Sequence, residues 1–156
     1  MKNYVKIGRL ESVSLNDLWK HEADDFTPWL AEPENLEILS EQLGIRLILK
    51  TVEHRVGRYY ADMVCEDGAS GEIILIENQI KPTDHRHLGQ ICTYAAGLKA
   101  SIIIWISERI NAEHREAIDW LNSISNDETS FYAVNVKAWK IGNSEYAPSF
   151  EIVEQP

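Results

Sequence analysis

The chain has 156 residues, 44% of them hydrophobic, enough to bury the core of one domain spanning 1–156. Twenty-five Asp and Glu against fifteen Lys and Arg leave a formal net charge of −10 with no basic run, which excludes attraction to phosphate through overall charge. Ile73–Ile76 and Ile102–Ile106 are too short to span a bilayer, no apolar signal follows Met1–Lys6, and Cys65 and Cys92 lack metal or disulfide spacing and read as reduced core thiols. A cytoplasmic location away from membranes is expected.

Along the chain, Ser14-Leu15-Asn16-Asp17 has the form of a capping box that opens a helix through about Ala23. Pro28 and Pro33 punctuate the link to a second helix, Glu34–Leu43, closed by Gly44. An amphipathic strand, Ile45–Glu53, comes next. Tyr59–Val64 and Glu72–Ile76 then flank the turn-rich Glu66–Gly71 and predict an antiparallel hairpin. Thr83 or Asp84 caps a helix ending near Lys99, with Leu88, Ile91, Cys92, Ala95 and Leu98 as its apolar stripe. Ser101–Ile106 is a strand apolar on both faces and therefore central. A helix from Ala112 to Leu121, capped by Asn111, and a last strand, Phe131–Ile141, complete an α/β pattern with a mixed central sheet flanked by helices.

The hairpin carries the chemistry. If it is symmetric about Ala69 and Ser70, Asp62 faces Glu77 on one side of the sheet, and Gln79 projects the same way. Like charges directly opposite each other destabilise a sheet, and a divalent cation between them relieves the conflict, because hard cations take carboxylate oxygens. Two simpler roles compete: turn hydrogen bonds for Asp62, and an ion pair with Arg58 for Glu77.

On Asp62 and Glu77-Asn78-Gln79 the chain resembles the PD-(D/E)XK nuclease superfamily, with Gln79 where Lys is usual. The likeness extends through the block Glu77–Gln90, Thr93–Leu98, Ile104-Trp105-Ile106, Trp19–Ala23 and Phe26–Leu30, and so covers nearly the whole chain. Gln90-Ile91-Cys92-Thr93-Tyr94 is similar to the Gln-x-x-x-Tyr motif of RecB-like members. The resemblance implies the restriction-endonuclease-like fold and Mg²⁺- or Mn²⁺-dependent hydrolysis of DNA in defence, restriction or repair. It implies Asp62, Glu77 and the Asn78 carbonyl as metal ligands, and Gln79 as the group that positions water through its amide. Gln90 and Tyr94 support the site. A further acid is expected from Glu32, Glu34 or Glu37, or from Glu53 on the preceding strand.

Lys81, Arg86 and His87, with the Thr83–His85 backbone at a helix N-terminus, are the expected phosphate rim, and Lys99 and Arg115 are further candidates. Asp84-His85-Arg86-His87 reads as a helix cap with bonded imidazoles rather than a zinc site, and His114 as a helix-surface residue. Trp105 and Trp139 read as core, as do Trp29 and Trp120 by default, although the latter pair could stack on bases. The acidic balance leaves a second reading open, a catalytically inactive module of the same fold that binds nucleic acid or a protein partner, or forms a homodimer.

Overall fold

A computed structural model describes residues 3–156. The doubly apolar run becomes β5 (Ile102–Arg109), whose isoleucines and Trp105 are all buried. It lies in the middle of a seven-stranded mixed sheet, parallel to β4 (Ile73–Pro82) on one side and to β6 (Ser130–Ile141) on the other. From β4 the sheet continues antiparallel through β3 (Tyr59–Asp67) to β2 (Leu47–Val56) at its edge. The far half of β6 pairs with β1 (Leu10–Val13), and β7 (Ala147–Glu154) runs antiparallel to β6. β1 and β7 were not apparent in the sequence.

Helices cover both faces. Alternation along β4 sends Ile74 and Ile76 to one face and Leu75 to the other. The first face packs under α1 (Leu15–Leu18), α2 (Thr27–Ala31) and α3 (Pro33–Leu43), with Phe26, Leu30 and Leu39 fully buried. The second packs under α4 (His85–Leu98) and α5 (Ala112–Ile124), with Ile91, Ile103, Trp105 and Ile118 buried.

The expected first helix is broken. α1 lasts one turn, Ser14 makes no side-chain cap bond, and Trp19 turns extended so that its ring can pack against Phe26 and Trp29, with centroids 4.8 Å away in each case. A π-helical turn, Glu22–Phe26, then runs into α2. Pro28 and Pro33 lie inside the first turns of α2 and α3, where a missing N–H costs nothing, and Gly44 closes α3 at φ 68°. On α4, Asp84 is the cap, as one of the two expected residues. The buried stripe takes in Tyr94 in place of Cys92, which is exposed, whereas Cys65 is a core thiol.

Candidate functional site

Asp62 and Glu77 meet where the β3–β4 hairpin opens. Hydrogen-bonded pairs alternate along an antiparallel ladder. Starting from Asp67, whose N–H donates to the Glu72 carbonyl at 2.9 Å, the alternation passes through Cys65/Ile74 and Met63/Ile76 and next requires Ala61/Asn78. The register stops at Met63/Ile76 instead. Side chains take over beyond it: the Asp62 N–H donates to Glu77 Oε1 at 2.9 Å, and the Asn78 N–H donates to Asp62 Oδ2 at 2.8 Å. The hairpin is therefore symmetric as expected, and the two acids fill the gap between its parting strands.

One oxygen of each carboxylate is thus fixed by a backbone N–H, and the two carboxyl groups share a hydrogen bond with each other. Glu77 is only 3% exposed. Burial, and after it the charge of Asp62, push its carboxyl from the ordinary 4.5 up to about 9. Burial also holds Asp62 above the usual carboxylate range. No Arg58 ion pair relieves Glu77: among the described residues neither acid has a cationic partner within salt-bridge distance.

A third carboxylate arrives from the helical side. Glu22, in the π-helical turn, accepts a 2.8 Å bond from the Ile80 N–H through Oε1, and burial followed by the charge of Asp62 raises its pKa. Sequence reasoning missed Glu22, although it stands inside the block Trp19–Ala23. Glu32, Glu34 and Glu37 do not take this place. Glu32 is the N-cap residue of α3, the other two lie on that helix, and all three are exposed. Glu53 does approach the site. Val52 pairs with Met63 and His54 with Ala61, which leaves Glu53 opposite Asp62, in a left-handed conformation at φ 50° that non-glycine residues rarely adopt. Its charge acts on Asp62.

Gln79 is 1% exposed, and both ends of its amide are engaged. Its Nε2 donates to the Pro82 carbonyl (2.8 Å) and to Asp84 Oδ2 (3.2 Å), and its Oε1 accepts from the Trp105 indole N–H (3.1 Å). The Asn78 side chain points to the opposite face, where its Nδ2 donates to Thr27 Oγ1 at 3.0 Å. The Asn78 carbonyl leaves the strand on the same side as its N–H, toward the gap that holds Asp62. Tyr94 is buried near the pair. Burial, then the charges of Glu77 and Asp62, raise its phenol above the usual range. Gln90, one turn earlier, lines an open groove with Tyr94.

Lys81, Arg86 and His87 gather with Lys20, His21 and Glu22 around a cavity of about 350 Å³. At the α4 N-terminus Asp84 already serves as the cap. Asp84 accepts from the His87 N–H (2.8 Å) and from the His87 ring (2.7 Å), and the Thr83 N–H is spent on the Arg109 carbonyl. Asp84-His85-Arg86-His87 is thus a cap with a bonded imidazole. Arg115 is tied to Glu154 at 3.2 Å, away from the rim. His114 is not on the surface. It is 4% exposed and bonded to Thr83 Oγ1 (2.8 Å) and His85 Nδ1 (3.0 Å), and burial followed by His85 holds its imidazole below the usual range. Trp105 is buried, Trp139 half-buried, and Trp120 exposed on α5.

The donor set suits a hard cation. Among the described residues no group of three His, Cys, Asp or Glu side chains lies close enough together to hold a metal ion. Magnesium does not need one, because it is commonly held by one or two carboxylates and keeps several waters.

No protein-family model and no curated protein matches the chain. Among solved structures it is similar to a repair endonuclease from Pyrococcus abyssi, at 17% identity over 58% of this chain and 42% of that one, with a TM-score of 0.48. It is also similar to EndoMS in a complex with dsDNA, at 13% identity over 67% of this chain and 44% of that one, with a TM-score of 0.48. The chain thus spans less than half the length of either. No helix among the described residues is long and apolar enough to cross a membrane.

Proposed function

We propose that this chain is a Mg²⁺- or Mn²⁺-dependent phosphodiester hydrolase acting on DNA as an endonuclease, with Asp62 and Glu77 holding the cation, the Asn78 carbonyl beside them and Glu22 as the supporting acid. One observation carries the reading: a buried carboxylate, Glu77, and a half-buried one, Asp62, share a gap, each fixed by a backbone N–H, and burial with their mutual charge disfavours ionising both unless a proton or a cation lies between them. A bound cation supplies positive charge to the phosphate and lowers the pKa of an attacking water.

The chain's own residues do the rest. Lys20, Lys81 and Arg86 at the cavity mouth attract and orient the phosphate, which the overall charge of −10 does not. The fixed N–H donors at Asp62, Asn78 and Ile80 hold three carboxylates in place before substrate arrives, so little reorganisation is required. Gln79 acts as a positioning residue, joining the end of β4 to Trp105 and to the α4 cap. Defence, restriction and repair all fit such an activity.

Thermal melting with and without Mn²⁺, together with plasmid nicking in Mg²⁺, Mn²⁺ and EDTA, tests the proposal. A ligand bound only by the native state raises the melting temperature. Wild type should therefore gain a Mn²⁺ shift that Asp62→Ala loses while staying folded, and nicking should require the metal. Equal shifts in both proteins would remove this site. The engaged amide of Gln79, standing where Lys is usual, favours a second reading, an inactive module of the same fold. A metal shift without cleavage of either plasmid or single-stranded DNA under any condition would select it.

A further inference from the structure

A second cavity opens between α4 and the turn joining β2 to β3. It measures about 510 Å³ and is lined by Arg58, Tyr59, Tyr60, Arg86, Gln90 and Tyr94, among others. No carboxylate lines it, in a chain with ten more acids than bases. Tyr59 and Tyr60 are 45% and 58% exposed, a large aromatic area to leave in water at the tip of a hairpin. The Tyr59 ring sits 6.2 Å from that of Tyr94, and the Arg58 guanidinium lies 5.3 Å from the Tyr59 centroid. These are flat faces and planar cations, the surfaces on which unpaired bases stack.

Two features tie the groove to the site. Arg86 lines both this cavity and the one holding Glu22, Lys20 and Lys81. Tyr94, on the groove wall, feels the charges of Glu77 and Asp62. A third feature fixes its shape: Gly97 lets α4 approach β2 so closely that a Cβ there would stand 2.5 Å from Val56 Cγ1. The hairpin is thereby held against the helix, and the groove is formed before anything binds.

We propose that this groove takes the unpaired bases of a single-stranded nucleic acid, stacked against Tyr59 and Tyr60 and hydrogen-bonded by Gln90, while Arg58 and Arg86 hold its phosphates and lead the backbone to Asp62 and Glu77. This rests on the hydrolase reading and gives it a substrate class. A cavity of this size is that of a small-ligand site. It receives bases one or two at a time, and a duplex, whose bases are stacked inward, does not offer them.

Fluorescence anisotropy with labelled oligo(dT), oligo(rU) and a blunt duplex of equal length, in EDTA to block cleavage, tests this. The wild type should bind a single strand in preference to duplex, and the dT and rU arms show which sugar it accepts. Tyr60→Ala and Tyr59→Ala should each weaken single-strand binding by roughly tenfold, whereas Tyr60→Phe, which keeps the stacking face, should not. The Mn²⁺ thermal shift should survive in all three variants, which also reports their folding. Single-strand affinity unchanged by the tyrosine variants, or duplex bound as tightly as single strand, would overturn the proposal. Tyrosine-dependent binding in a protein that shows no Mn²⁺ shift would instead sink the hydrolase reading and leave the groove as a binding site. Failure of wild type to bind any oligonucleotide would overturn the proposal and turn attention to a protein partner for the groove.

Discussion

Glu77→Gln, measured without metal, should change the pH dependence of stability. In the unfolded chain Glu77 titrates at its ordinary 4.5, and in the fold at about 9. Between those values the native state holds a proton that the unfolded chain has released, so raising the pH draws the equilibrium toward the unfolded chain. The stabilisation is complete below about pH 4.5 and is lost as the pH rises toward 9. One proton over the three units from pH 5 to 8 amounts to roughly 4 kcal/mol. Gln cannot titrate and keeps the acceptor oxygen that receives the Asp62 N–H. Urea unfolding in EDTA at pH 5, 6, 7 and 8 should therefore show wild-type stability falling with pH and the variant losing most of that slope. A cation displaces the proton, so Mn²⁺ should flatten the wild-type profile and stabilise it most at high pH. Parallel profiles for wild type and Glu77→Gln would refute the idea that this carboxyl is protonated in the metal-free fold.

Other perturbations isolate other parts of the structure. Gln79→Ala strips the buried Trp105 N–H of its acceptor and should cost about 1–3 kcal/mol in urea unfolding, with the Mn²⁺ shift retained because the carboxylate anchors do not involve Gln79. Asp84→Ala removes the α4 cap and the partner of the His87 ring and should cost about 0.5–2 kcal/mol by the same measurement. Leu39→Ala, in the core beneath α3, should cost about 2–5 kcal/mol while leaving the ratio of single-strand to duplex affinity unchanged. Changing Lys81→Glu and Arg86→Glu together should abolish nicking at moderate salt but leave the Mn²⁺ shift intact. Unchanged nicking would show that the phosphate enters elsewhere.

What the sequence made legible was decided by periodicity. Period two placed Asp62 opposite Glu77, and the turn at Glu66–Gly71 set the register, so the pair could be read before any coordinates. The doubly apolar Ile102–Ile106 gave the central strand for the same reason. Glu22 was hidden because its position depends on Trp19 leaving helical geometry to pack on Phe26 and Trp29, a tertiary effect without local signature. β1 and β7 are held by pairing with β6 rather than by an alternating pattern of their own. His114 was legible but misread. With Ile118 and Leu121 it stands at i, i+4 and i+7 of α5, the spacing of a buried stripe, whereas its residue type alone suggests surface.

The acidity of the chain and its proposed substrate are reconciled by where the charges lie. Several bases far from the site are paired: Lys50 with Glu66, Arg115 with Glu154, Lys137 with Glu151 and Lys140 with Glu11. Among the described residues none of Lys20, Arg58, Lys81 and Arg86 has such a partner, and these four line the two cavities that meet at Arg86. Attraction to phosphate falls off within about 8 Å at physiological salt, so a phosphate in either cavity feels these cations far more than distant carboxylates. Inside the gap the local field is negative and favours a divalent cation, and the rim is positive and favours an anion. The net charge of the whole chain governs encounter with nucleic acid at long range, and it predicts slow association that added salt should hinder less than it hinders a basic binder. Stopped-flow association of oligo(dT) between 20 and 200 mM NaCl would measure this. A steep fall in rate across that range would mean that a larger positive surface than these four residues guides the strand.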